Sequence, residues 1–92
     1  MTRFLIEVPH EDNKVACARA IQMFLETGSH FLVNADWGCT DGEHKAWIVL
    51  EGDSKKDALS VLPIPVRPRA KIVRLARFSM DGVEGTIREH QG

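Results

Sequence analysis

The chain has 92 residues, of which 43% are hydrophobic and 27% are charged, and its formal net charge is −1. This length allows one small domain, and the composition is that of a globular rather than a disordered protein. Near-neutral charge argues against a general nucleic-acid or membrane-surface binder, and no apolar run approaches the roughly 18–20 residues of a membrane span.

The N-terminus carries no recognisable export signal, because Glu7 interrupts the apolar run that begins at Phe4. The expected compartment is therefore the cytoplasm, where thiols stay reduced. Two cysteines, Cys17 and Cys39, are too few for a disulfide scaffold.

The first half of the chain predicts a strand, a helix and a second strand. Apolar and polar residues alternate over residues 3–9, which predicts a strand. A helix is expected at about residues 12–27, capped by Asp12 or Asn13 and ended by Gly28. Alternation over residues 30–37 predicts the second strand.

The second half repeats this pattern after a short turn. Asp41-Gly42 favours a hairpin into a third strand at 44–51. A helix follows at about 54–62, then an extended proline-rich connection and a last strand at about 69–78. Residues 79–92 are polar and contain three glycines, so we expect a frayed tail or an arm that orders on a partner.

This element order predicts an α+β, ferredoxin-like β-α-β-β-α-β fold. Its four-stranded antiparallel sheet should have the order 4-1-3-2, with both helices on one face. The domain would span residues 1–78, with 79–92 as its tail. The expected core residues are Phe4, Ile6, Val8, Ile21, Phe24, Leu25, Val33, Ile48, Leu50 and Leu62.

The pattern resembles the dimeric α/β-barrel superfamily, which includes antibiotic-biosynthesis-type monooxygenases and small domains of unknown function. The segments that carry this resemblance are residues 3–8, 28–30, 37–42 and 46–51, the last followed by Asp53-Ser54. The resemblance implies a homodimer that pairs its open sheet faces around a small apolar or aromatic ligand. It also implies small-molecule binding, or a cofactor-independent enzyme of the monooxygenase or isomerase kind.

The sheet face away from the helices supports an interface independently of the resemblance, because a large apolar patch on a small monomer usually marks one. The alternative is a monomer with a partly apolar open face. The residues expected to form this dimer face or a ligand cavity are Leu5, Glu7, His30, Asp36, Trp47 and Val49.

Three potential metal ligands should meet at one edge of the sheet. His10 follows strand one, Cys39 follows strand two and His44 precedes strand three. Two imidazoles and a thiolate suit Zn²⁺ or Cu²⁺, and Asp36 or Asp41 could add an oxygen. Two other interpretations remain open: three ordinary polar loop residues, or a Cys39 nucleophile with His44 as its base.

Other site signals are weaker. Five basic residues between Arg67 and Arg77 without an acid form either an anion site or a solvated edge strand. The chain has no Gly-rich phosphate loop and no Cys-x-x-Cys, so no cofactor is expected unless the rim binds zinc or another divalent transition metal. Besides small-molecule binding and metal binding, the third functional class is a non-catalytic interaction or regulatory domain.

Overall fold

The computed structural model describes residues 1–91. The sheet strands are β1 (Thr2–Pro9), β2 (Asp36–Trp37), β3 (Lys45–Gly52) and β4 (Lys71–Leu75). The α-helices are α1 (Lys14–Glu26), α2 (His30–Val33), α3 (Lys55–Ser60) and α4 (Met80–Gln91). Two 3-10 segments, Cys39–Asp41 and Ile64–Arg69, lie in the connections before β3 and β4.

The four strands form one antiparallel sheet with the order β2-β3-β1-β4, which is β4-β1-β3-β2 when read from the other edge. The register places Phe4 opposite Leu50 and Ile6 opposite Ile48. The predicted α+β class and four-stranded antiparallel sheet are therefore confirmed.

The core lies on one face of this sheet. Phe4 and Ile6 are fully buried there, and Phe24 of α1 and Ala58 of α3 pack against the same cluster. Both helices therefore cover the same face. None of the polar side chains in residues 1–91 is buried in this core. Its members are Phe4, Ile6, Val8, Phe24, Leu32, Ala46, Ile48, Leu50, Ala58 and Leu62.

Helix α1 begins because its first turn is capped by a side chain. The Asn13 backbone is extended, and its Oδ1 accepts a hydrogen bond from the Ala16 amide at 2.7 Å. Asn13, not Asp12, is thus the cap. Gly28 follows the helix with φ +67°, a conformation that costs little without a Cβ.

The predicted second strand is wrong over residues 30–33, which form the short helix α2. The Ser29 carbonyl accepts from the amides of Leu32 and Val33 at 3.1 and 2.9 Å, and the Asn34 side chain donates to the His30 carbonyl at 2.8 Å. These local bonds replace a sheet ladder. The helical turn directs Leu32 into the core and leaves Val33 47% exposed.

Two further core predictions fail in helix α1. Leu25 is 52% exposed and Ile21 is only half-buried, because the helix directs Phe24 toward the sheet and Leu25 lies about 100° further round. A single aromatic residue therefore forms most of the contact between α1 and the core.

The C-terminal residues 80–91 form a helix, so the expected frayed tail is wrong, while the alternative of an arm that orders on a partner stays a prediction. The Ser79 hydroxyl accepts from the Gly82 amide at 3.1 Å, and Asp81 and Arg88 suit the dipole at the two ends. The apolar side chains Met80, Val83 and Ile87 remain exposed. No helix within residues 1–91 is both long and apolar enough to cross a bilayer.

Candidate metal centre

The rim where β1 ends and β3 begins brings three sequence-predicted ligands together. The His10 amide donates to the His44 carbonyl at 3.0 Å, which extends the β1–β3 pairing by one residue. Cys39 lies in the 3-10 turn between β2 and β3. The sheet pairing thus fixes the two histidines, and the hairpin loop supplies the cysteine.

The hairpin loop is tightly constrained beside Cys39. The Gly38 amide donates to the Lys45 carbonyl at 3.1 Å, and the Glu43 amide donates to the Gly38 carbonyl at 3.0 Å. A Cβ at Gly38 would lie 2.7 Å from the Glu43 carbonyl oxygen and 2.7 Å from the Trp47 ring. Glycine is therefore needed there for close backbone approach.

The ligand atoms of His10, Cys39 and His44 all lie within 4.8 Å of one another. Cys39 Sγ is 3.2 Å from His10 Nε2, and the two imidazole rings are nearly perpendicular with centroids 5.6 Å apart. All three residues are half-buried. This group could hold a metal ion, and it includes neither Asp36 nor Asp41, the two oxygen donors considered from the sequence.

An aspartate missed by the sequence interpretation orients one of the histidines. Asp12 Oδ1 lies 2.7 Å from His44 Nε2. A neutral His44 that donates from Nε2 to this carboxylate keeps an unprotonated Nδ1, and that atom is buried without a partner. His10 Nδ1 is buried without a partner as well. Only the short spacing between His10 and Asp12 could have indicated this role.

The environment favours neutral side chains at the rim. Burial raises the pKa of the Cys39 thiol to about 11, and a hydrogen bond and charge repulsion with the Cys17 thiol add to the rise. Burial, together with repulsion from His44, lowers the pKa of His10 below 6.5. At neutral pH the cluster therefore presents an un-ionised thiol beside an uncharged imidazole.

This geometry does not match the expected pairing of a Cys39 nucleophile with a His44 base. The histidine against the Cys39 sulfur is His10, while His44 is bonded to Asp12. A thiol pKa of about 11 is also the reverse of the depressed value that a nucleophilic cysteine needs. Cys17 of α1 lies near enough to influence Cys39.

The other predicted site residues lie on the open face, away from this rim. Glu7 accepts from the Trp47 indole at 3.2 Å and from Lys45 at 3.5 Å. A shallow depression of about 270 Å³ there is lined in part by His30, Asp36, Trp47 and Val49. Leu5 and Glu7 do not line it.

Comparison with protein-family models, with curated proteins and with solved structures finds no match to this chain.

Proposed function

We propose that this protein binds a divalent transition metal, zinc by preference, through His10, Cys39 and His44. The observation that carries the proposal is the convergence of three donor atoms within 4.8 Å at one half-buried rim. Two imidazoles and one thiolate are ligands that zinc takes in proteins.

The spacing needs little adjustment to accept the ion. Zinc ligands lie about 2.0–2.3 Å from the metal, so tetrahedral donor atoms lie roughly 3.3–3.8 Å from one another. Cys39 Sγ and His10 Nε2 are already 3.2 Å apart. The other donor separations are at most 4.8 Å, so a change of about one ångström brings the set to bonding distance.

The unpartnered Nδ1 of His44 supports the same proposal. A buried polar atom without a hydrogen bond costs about 1–3 kcal/mol, and a metal ion on His44 Nδ1 would remove that cost while His10 coordinates through the Nε2 that faces Cys39. Asp12 on the opposite nitrogen of His44 is the carboxylate–histidine arrangement that fixes ring orientation at metal sites. A metal bound to His44 Nδ1 would complete this arrangement.

The thiol chemistry favours a metal over nucleophilic catalysis. Nothing near Cys39 lowers its pKa enough to generate a thiolate at neutral pH. A bound dication does so, because a coordinating thiol is deprotonated outright. Cys17, whose thiol influences the pKa of Cys39, could supply a fourth, sulfur ligand, and water is the alternative.

The test begins with metal-free untagged protein, titrated with zinc against a competing chelator and examined by native mass spectrometry. One zinc per chain is expected. With cobalt(II) instead, a thiolate charge-transfer absorption should appear. In Cys39→Ser it should vanish if Cys39 is the one sulfur ligand, and fall by about half if Cys17 also coordinates. Asp12→Asn should weaken zinc about 10–100-fold, and Cys39→Ser should weaken it further.

His30→Asn is the matched control, because His30 lies in α2 and outside the cluster. It should leave zinc affinity unchanged. Cys17→Ser decides whether the fourth ligand is Cys17 or water. It should lower the thiolate-to-cobalt absorption if Cys17 coordinates and leave it unchanged if water does. Zinc affinity that is equal in wild type and Cys39→Ser would refute the proposal.

We also propose that the fold is ferredoxin-like and that two copies pair through their open faces, as the resemblance implies. The supporting observation is the apolar exposure opposite the core, where Val49 is 54% and nearby Phe31 is 41% exposed. Exposed apolar surface of this kind is typical of an interface.

Val49→Asp tests this pairing without disturbing the Glu7–Trp47 hydrogen bond. It should weaken self-association at least tenfold in sedimentation equilibrium while circular dichroism stays native. Ile64→Asp is the control, because Ile64 is 72% exposed but lies in the connection before β4. A wild-type monomer at high micromolar concentration would contradict the pairing.

A further inference from the structure

A second cavity lies on the helix-covered side, next to the rim, and shares only His10 with the donor cluster. Its volume is about 280 Å³, near the lower end of the range for small-molecule sites. It opens between the start of α1 and the 3-10 segment that precedes β4. Its walls include Val8, Met23, Phe24, Trp37 and Val66, with Arg19 and Arg69 also in its lining.

The walls are apolar, but the lining also carries more positive than negative side chains. Arg19 comes from α1 and Arg69 from the 3-10 segment, and both are exposed. Within residues 1–91 neither guanidinium makes an ion pair or a side-chain hydrogen bond. Glu11 is the one acid in the lining, so the formal balance is one positive charge.

We propose that this cavity binds a small monocarboxylate with an apolar, aromatic body. The apolar walls accept the body, and Trp37 and Phe24, whose rings are 5.0 Å apart, offer aromatic contacts. The planar guanidinium groups of Arg19 and Arg69 match the geometry of a carboxylate. The excess of a single positive charge matches a monoanion better than a phosphate dianion.

The site differs from the cavity that the family resemblance implies. That cavity would lie on the open face, whereas this one lies under α1 on the opposite side of the sheet. His10 belongs both to its lining and to the donor cluster. The carboxylate proposal does not depend on metal binding, so the experiment uses metal-free protein.

The probe is phenylacetate, followed by nitrogen-15 correlation spectra of the full chain. The two tryptophans give two indole signals, assigned with Trp47→Phe. Phenylacetate should shift the Trp37 signal and leave that of Trp47 unchanged. The uncharged isostere phenylacetamide should bind at least about tenfold more weakly, the equivalent of about 1.4 kcal/mol.

Charge-removing variants then locate the carboxylate. Arg19→Leu and Arg69→Leu should each weaken phenylacetate about tenfold. Arg88→Leu, which removes the same charge from α4, should have no effect. The proposal fails if phenylacetate leaves Trp37 unchanged at millimolar concentration, or if the amide binds as well as the acid. It also fails if Arg88→Leu weakens binding as much as the two cavity variants do.

Discussion

The two faces of the sheet are built from alternate residues of the same strands, yet they differ in what surrounds them. In β1, Phe4 and Ile6 are fully buried beneath the helices, while Leu5 between them is only half-buried. In β3, Ile48 is 3% exposed and Val49 is 54% exposed. The covered face therefore provides the stability of the fold, and the open face remains available for contacts.

The two faces also differ in their contacts with the residues of the donor cluster. On the covered face the aromatic ring of Phe24 contacts Trp37, whose ring is 5.9 Å from that of His10 at the rim. On the open face the polar contacts stay local, between Glu7, Trp47 and Lys45. Disturbance of the core should therefore reach the donor cluster. On the open face, Trp47 lies against Gly38 beside Cys39, so a disturbance that spares Trp47, such as one at Val49, should not reach it.

The largest expected effect comes from Phe24→Ala on the covered face. Phe24 is 1% exposed, and its loss should lower the free energy of unfolding by about 3–5 kcal/mol in urea titrations. Zinc affinity should also fall, because Trp37 loses its packing partner. Val49→Ala, on the open face, should change stability by no more than about 0.5 kcal/mol. Equal losses of unfolding free energy in the two variants would show that the covered face is not the main source of stability.

A smaller effect is expected from Gly38→Ala in the hairpin loop. The new methyl group would meet the Glu43 carbonyl and the Trp47 ring, so stability should fall by about 1–3 kcal/mol. Cys39 is the next residue, and zinc binding should weaken with it. Gly85→Ala is the control, since its Cβ meets only the end of Arg88 at 3.9 Å. Unchanged zinc affinity in Gly38→Ala would show that the loop adapts freely.

Acidification should weaken zinc binding about tenfold for each pH unit between 8 and 7, estimated from one-proton competition. The reason is that zinc must displace the proton of Cys39, whose pKa is about 11. His10 adds competition only at lower pH, because its pKa lies below 6.5. Chelator competition at several pH values measures this slope. A flat profile in wild type would exclude Cys39 as a ligand.

The smallest effect concerns the stability of the metal-free protein. The unfolded His10 imidazole takes up a proton near pH 6.5, whereas the folded one resists it to lower pH. The folded state therefore loses stability as the pH falls from above 6.5 through the lowered pKa, and the loss then levels off. His10→Asn should remove this component, while His30→Asn should not. Urea midpoints at pH 7.5 and 5.5 provide the measurement.

The fold was predictable where the pattern and the burial agreed. The alternation of Phe4, Ile6 and Val8 predicts their burial directly. The predicted helix at about 54–62 corresponds to α3, where the Ser54 hydroxyl accepts from the Asp57 amide. Residues 30–33 alternate equally well, but the turn at Gly28 and the hydrogen bonds to Ser29 produce a helix there. The C-terminal helix was missed because Gly82 and Gly85 have low helix propensity. The Ser79 hydroxyl, which accepts from the Gly82 amide, offsets part of that cost at the first turn.

The part of the candidate site that strand order determines was predictable from the sequence. Antiparallel pairing of β1 with β3 places His10 beside His44, and the hairpin returns Cys39 to the same rim. Asp12 and Cys17 were missed because their positions depend on the path of the loop and the rotation of α1, which alternation does not encode. Arg69 belonged to a recognised basic run, but only the tertiary structure brings it near Arg19.

Helix α4 has no buried residues, and the molecule is elongated, which affects how it moves through solution. The principal dimensions are 56 × 28 × 21 Å, and the radius of gyration is 16.8 Å, against about 12–13 Å for a compact chain of this length. An elongated monomer meets more friction than a sphere of equal mass. In gel filtration it would therefore elute early and imitate a dimer, so the pairing of open faces should be judged from light scattering or sedimentation equilibrium, which report mass independently of shape.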